Sequence, residues 1–153
     1  MKWIKKLFRR KGIRIPHSLF GELRFVPPRK TTPGFWEGEM IIMNMSEGLR
    51  LEIIAPISGP VQKQEEFLRS VVENFEMLIK AIHPFMKAAF EDAFGKAYPE
   101  SFKDEFSWSN LTIPEAGERT NAWDLSFECK TSSKHLFTVY FDNGAPVQAT
   151  IQK

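Results

Sequence analysis

Cysteine is close to absent from this chain, with one, Cys129, among 153 residues. A single thiol excludes an internal disulfide, and with it the stapled build of small secreted domains. No apolar run approaches the roughly 20 residues that a membrane-spanning helix requires. The amino-terminal stretch starts with positive charge, but the apolar run of about 7–15 residues that would make it a secretory signal does not follow. Histidine is scarce too, with three in the chain, and neither these nor Cys129 fall at zinc-ligand spacing. Phosphate loops, dinucleotide fingerprints, serine elbows and helical zinc motifs are all missing. The expectation from these absences is a cytoplasmic protein without metal or cofactor, and with few groups from which to build an enzyme.

Aromatic side chains are abundant, with 14 Phe and 4 Trp. A chain of this length forms one domain, and its core is expected to be aromatic-rich. The formal net charge of +2 conceals a split. Residues 1–14 hold seven of the 21 basic residues and none of the 19 acids. Residues 15–153 therefore carry 14 basic against 19 acidic groups, a net of −5. A nucleic-acid-binding fold carries its basic surface on the fold itself, so this distribution argues against nucleic acid as a partner.

Hydrophobic period divides the chain into strand, helix and strand regions. LFGELRFV (19–26) alternates and stops at Pro27-Pro28, which cannot donate to a ladder. FWEGEMIIMN (35–44), a turn over 44–48 and LRLEII (49–54) complete an antiparallel meander of three strands. Ser58-Gly59-Pro60 then marks a helix start, and Phe67, Leu68, Val71, Val72, Phe75, Leu78, Ile79 and Ile82 keep helical spacing. Pro84 is expected to kink or end that helix, with a second one carrying Phe85, Met86, Ala89, Phe90, Ala93 and Phe94 up to Gly95. Four strands follow, over 106–113, 122–129, 135–142 and 145–152. The last two are joined by Asn143-Gly144, a strong hairpin signal. The expected fold is α+β, ordered βββ-αα-ββββ, with a single mainly antiparallel sheet packed against a helical hairpin. Residues 1–18 read as a basic amphipathic segment and 19–153 as the domain.

Three groups of residues carry candidate functions. Cys129 and His135 flank KTSSK and belong to adjacent strands, where a thiol beside an imidazole would offer a nucleophile and base. Both share the parity of an aromatic face, on which cysteine normally packs as a small apolar group. Glu22, Glu37, Glu39 and Glu52 project from neighbouring strands and form an acidic surface for a protein partner. Arg24 and Arg50 share that face, so a ladder of cross-strand charge pairs is the competing reading. Finally, Lys2, Lys5, Lys6, Arg9, Arg10 and Lys11 surround Trp3, Ile4, Leu7 and Phe8 on a helical wheel. Such a segment suits an anionic membrane surface, a free or self-docked tail, or another acidic partner. Localisation is then cytoplasmic, with peripheral attachment at the inner membrane surface as one outcome.

Phe20-Gly21-Glu22-Leu23, Trp36-Glu37-Gly38, Trp123-Asp124-Leu125-Ser126-Phe127 and Phe137-Thr138-Val139-Tyr140-Phe141 together resemble the framework of a group of small bacterial α+β proteins of unknown function. The resemblance spans about residues 19–150. It implies a bacterial cytosolic protein without known catalysis. Some similar proteins are thought to act as immunity partners of secreted toxins, which implies recognition of another protein.

Overall fold

In the computed structural model, residues 12–42, 48–132 and 135–153 are described. Eight strands make one sheet whose spatial order is their order along the chain. β1 (Arg14–His17), β2 (Gly21–Val26), β3 (Phe35–Met40) and β4 (Leu49–Ile54) pair antiparallel in succession. β5 (Phe106–Ile113), β6 (Trp123–Cys129), β7 (Leu136–Asp142) and β8 (Ala145–Gln152) do the same. The two meanders join through β4 and β5, the single parallel pair. A parallel pair needs a crossover connection, because no tight turn can bring a strand back in the same direction. That crossover carries α1 (Gln62–Glu73), α2 (Phe75–Phe94) and the short α3 (Phe102–Glu105).

Alternation sorts the strand residues onto two faces. Leu51, Leu111, Leu125, Val139 and Ala149 stand opposite one another in successive strands, and the first four are fully buried. Phe25, Trp36, Ile53 and Ile113 form a parallel row on the same face. The helices cover this inner face: Phe67 meets Trp123 edge-on, Phe75 stacks on Trp108, and Phe90 touches both Phe106 and Phe137. The opposite face carries the alternate, mostly polar residues.

The α+β class and the mainly antiparallel single sheet agree with the sequence reading. The element order does not. Four strands precede the helices rather than three, because Arg14–His17 pairs along β2. A four-residue strand containing Pro16 has too little alternation to register as one. The helix break also lies elsewhere. The chain stays helical through Pro84 and breaks instead at Asn74. Asn74 closes α1 with its backbone N–H and side-chain amide on the Ser70 carbonyl, and its own carbonyl accepts from Leu78 of α2. Leu78, Ile82, Met86, Phe90 and Phe94 form one unbroken stripe at four-residue spacing, of which Ile82, Met86 and Phe90 are buried. Burying that stripe outweighs the roughly 3 kcal/mol that an interior proline costs. Pro84 itself is exposed. One residue between α1 and α2 leaves no loop of the kind that folds two helices back on each other. The helical hairpin is therefore replaced by two helices in series, α1 over β5 and the 3₁₀ turn Glu115–Gly117, α2 over β7 and β8.

Candidate outer-face recognition site

The outer face of the sheet is where charge and polarity gather. One row crosses seven strands: Arg24, Glu37, Glu52, Thr112, Asp124, Tyr140 and Gln148, each the register partner of the next. At the β2–β4 end the charges are matched. Arg24 donates through Nε to Glu37 Oε1 at 2.6 Å, and Arg50 lies 3.6 Å from Glu37 Oε2 and 3.8 Å from Glu52. Toward β6 the cations run out. Asp124 stands opposite Thr112 in register, and among the described residues no Lys or Arg comes within ion-pair distance of it.

Desolvation shows in the acidities. Burial pushes the Asp124 carboxyl above its ordinary pKa, against the opposing pull of the neighbouring Thr112 hydroxyl. Glu52 is raised as well, first by burial, with Asp124 and Glu37 adding to it and Arg50 opposing. Beside Asp124 the row opens into a hollow of about 390 Å³, whose lining includes Trp123, Tyr140, Phe141, Val147 and Gln148. The next row inward from the hollow is floored by Ser126 and Thr138, both buried, with their hydroxyls 2.9 Å apart.

Of the four predicted glutamates, the fold makes Glu37 and Glu52 direct cross-strand neighbours. Glu22 is engaged by Arg14 on the neighbouring strand, and Glu39 stands in register with Arg50. The charge ladder expected as the competing reading is present around Glu37. Sequence reasoning missed Thr112, Asp124 and Tyr140. Asp124 was legible in part, since it alternates against the inward Trp123, Leu125 and Phe127, but nothing local places it in line with Glu52. Lys2, Trp3, Lys5, Lys6, Phe8, Arg9, Arg10 and Lys11 lie outside the described residues.

Cys129 and His135 face different partners. The Cys129 thiol, buried on the inner face, donates to Glu105 Oε1 at 3.0 Å. Burial pushes its pKa up, and the hydrogen bond to Glu105 adds to the shift, so the unreactive thiol form is favoured over thiolate. His135 pairs with the Ser132 hydroxyl, and its ring meets the edge of Phe94. His17 acts structurally: Nδ1 accepts from the backbone N–H groups of Leu19 and Phe20, which leaves Nε2 to donate to Glu65 at 3.2 Å. Among the described residues no three His, Cys, Asp or Glu side chains are grouped to hold a metal ion, and no helix is long and apolar enough to cross a membrane.

No protein-family model, curated protein or solved structure matches this chain.

Proposed function

We propose that this is a non-enzymatic binding protein, immunity-like in kind, that recognises a basic protein partner through the outer face of its sheet. The observation that carries this reading is the desolvated pair Glu52 and Asp124, held in one row with too few cations to match them. A half-buried carboxylate without a counter-ion costs stability, and an incoming Arg or Lys of a partner would supply the missing charge. The hollow beside Asp124, with the Tyr140 ring on its wall, suits such a side chain. The net −5 of residues 15–153 would speed the encounter by long-range attraction.

Two measurements test the reading. Immobilised full chain should retain a basic protein at low salt and release it at high salt, because surface attraction is screened. The double variant Glu52→Lys/Asp124→Lys should lose that retention. If no basic protein is held at low salt, or if the double variant holds it equally well, the reading fails.

The second measurement concerns stability. A carboxyl whose folded pKa is raised binds more protons folded than unfolded in the window just above the ordinary carboxylate range. Stability therefore falls as pH rises through that window, and the deficit persists at neutral pH. Asp124→Asn, which keeps an acceptor for Thr112, should stabilise the protein at pH 7 by up to about 1 kcal/mol and flatten the pH profile of denaturant midpoints. A loss of stability at pH 7 would show that Asp124 serves the fold and not a partner.

A further inference from the structure

The two edges of the sheet are built differently. β1 is short, contains Pro16, and places Arg14 on Glu22. Short length, charge and proline are the usual means of stopping an edge from pairing with another chain. β8 runs for eight residues, APVQATIQ, without one charged side chain. Among the other strands only β5, in the middle of the sheet, is likewise free of charge. This edge thus lacks the charges that guard the other one. Pro146 and the register shift opposite Tyr140/Phe141 interrupt the start of β8, but Gln148–Gln152 continues in regular register with β7. Its outward backbone N–H and C=O groups have no strand partner among the described residues.

We propose that β8 pairs antiparallel with β8 of a second copy of this chain, joining two sheets into one across a two-fold axis at Thr150. The choice of occupant follows from self-complementarity. About that axis Gln148 lies opposite Gln152, Ala149 opposite Ile151, and Thr150 opposite itself. Antiparallel pairing matches residues of the same parity here, so the inner-face Ala149 and Ile151 meet each other, and the polar Gln and Thr meet each other on the outer face. A two-fold contact sets each patch against its own copy, and a charged strand would then bring like charges together. This strand brings none, and Pro146 falls outside the five paired residues. The inference does not rest on the partner proposed for the outer face, although Gln148 also lines the hollow there.

Sedimentation equilibrium of the full chain should give twice the 17.7 kDa chain mass at high concentration. Gln148→Lys/Gln152→Lys places two lysine pairs face to face across the axis and should weaken the dimer about tenfold. Gln148→Glu/Gln152→Lys sets opposite charges in the same places and should restore it. Gln148 and Gln152 are exposed, so both variants should fold, which far-UV circular dichroism would verify. A monomer up to millimolar concentration would overturn the proposal. So would a dimer indifferent to the double lysine, or one equally weakened by the Glu/Lys exchange.

Discussion

Replacing Trp36 with alanine should cost about 4 kcal/mol, the largest effect expected of any single change in the sheet. Trp36 is fully buried, flanked in its row by Phe25 and Ile53, and its indole N–H donates to the Pro56 carbonyl at 2.9 Å. Alanine would leave a cavity the size of the indole and also orphan that carbonyl. A domain of this kind has only about 5–15 kcal/mol in hand, so the variant would sit near the edge of folding. Thermal denaturation should show a midpoint lower by about 10 °C or more. Trp36→Phe separates the two contributions, since it keeps most of the packing and removes the hydrogen bond. A near-native midpoint for the alanine variant would mean that the row at Trp36 is not packed as described.

Gln64→Leu is expected to cost about 3 kcal/mol although it puts an apolar residue of similar size into a buried position. Gln64 is almost completely inaccessible, and its amide makes three backbone bonds. Oε1 accepts the Val61 N–H at 3.0 Å, while Nε2 donates to the carbonyls of Ile54 and Pro114 at 2.8 and 3.0 Å. Those carbonyls lie at the ends of β4 and β5, the two parallel strands. One side chain thus ties the start of α1 to the seam between the two meanders. Leucine would remove this partner from the Val61 N–H and the Ile54 carbonyl and leave the Pro114 carbonyl with the Gly117 N–H alone, and a buried polar group without a partner costs more than its bond was worth. Urea denaturation gives the loss, and amide exchange at Val61 should rise with it. If the leucine variant is as stable as the parent, Gln64 only fills space. Gly117 guards the same joint: its φ is +67°, and a Cβ there would overlap the Lys63 carbonyl. The 3₁₀ turn can therefore approach α1 only with glycine at this place.

How much of this was legible beforehand depends on how local each signal is. The Asn143-Gly144 hairpin was legible because a two-residue turn demands positive φ at both positions, and the chain has φ +53° and +81° there. The strands 49–54, 106–113 and 145–152 were legible to the residue. Asn74 was not, since its capping role depends on which face α1 and α2 bury, and Pro84 gave a stronger but misleading local signal. Gln64 was not singled out either, because a glutamine in the first turn of a helix reads as surface until the two carbonyls that it meets are brought to it. Glu37 beside Arg24 followed from alternation within one meander. Thr112 and Asp124 beside Glu52 did not.

The sequence by itself determined which residues turn inward. Period 2 in the strands and a four-residue stripe in α2 are properties of neighbouring positions, enforced by the cost of exposing Phe, Trp, Leu and Ile to water. Only the tertiary structure decided that β4 and β5 lie side by side. Their pairing leaves no turn signature, joins segments about fifty residues apart, and depends on two helices spanning the crossover and on Gln64 meeting both strand ends. That one seam sets Glu52, Thr112 and Asp124 in line, because its register carries the rows of the first meander at Arg50 to Ile53 into the second.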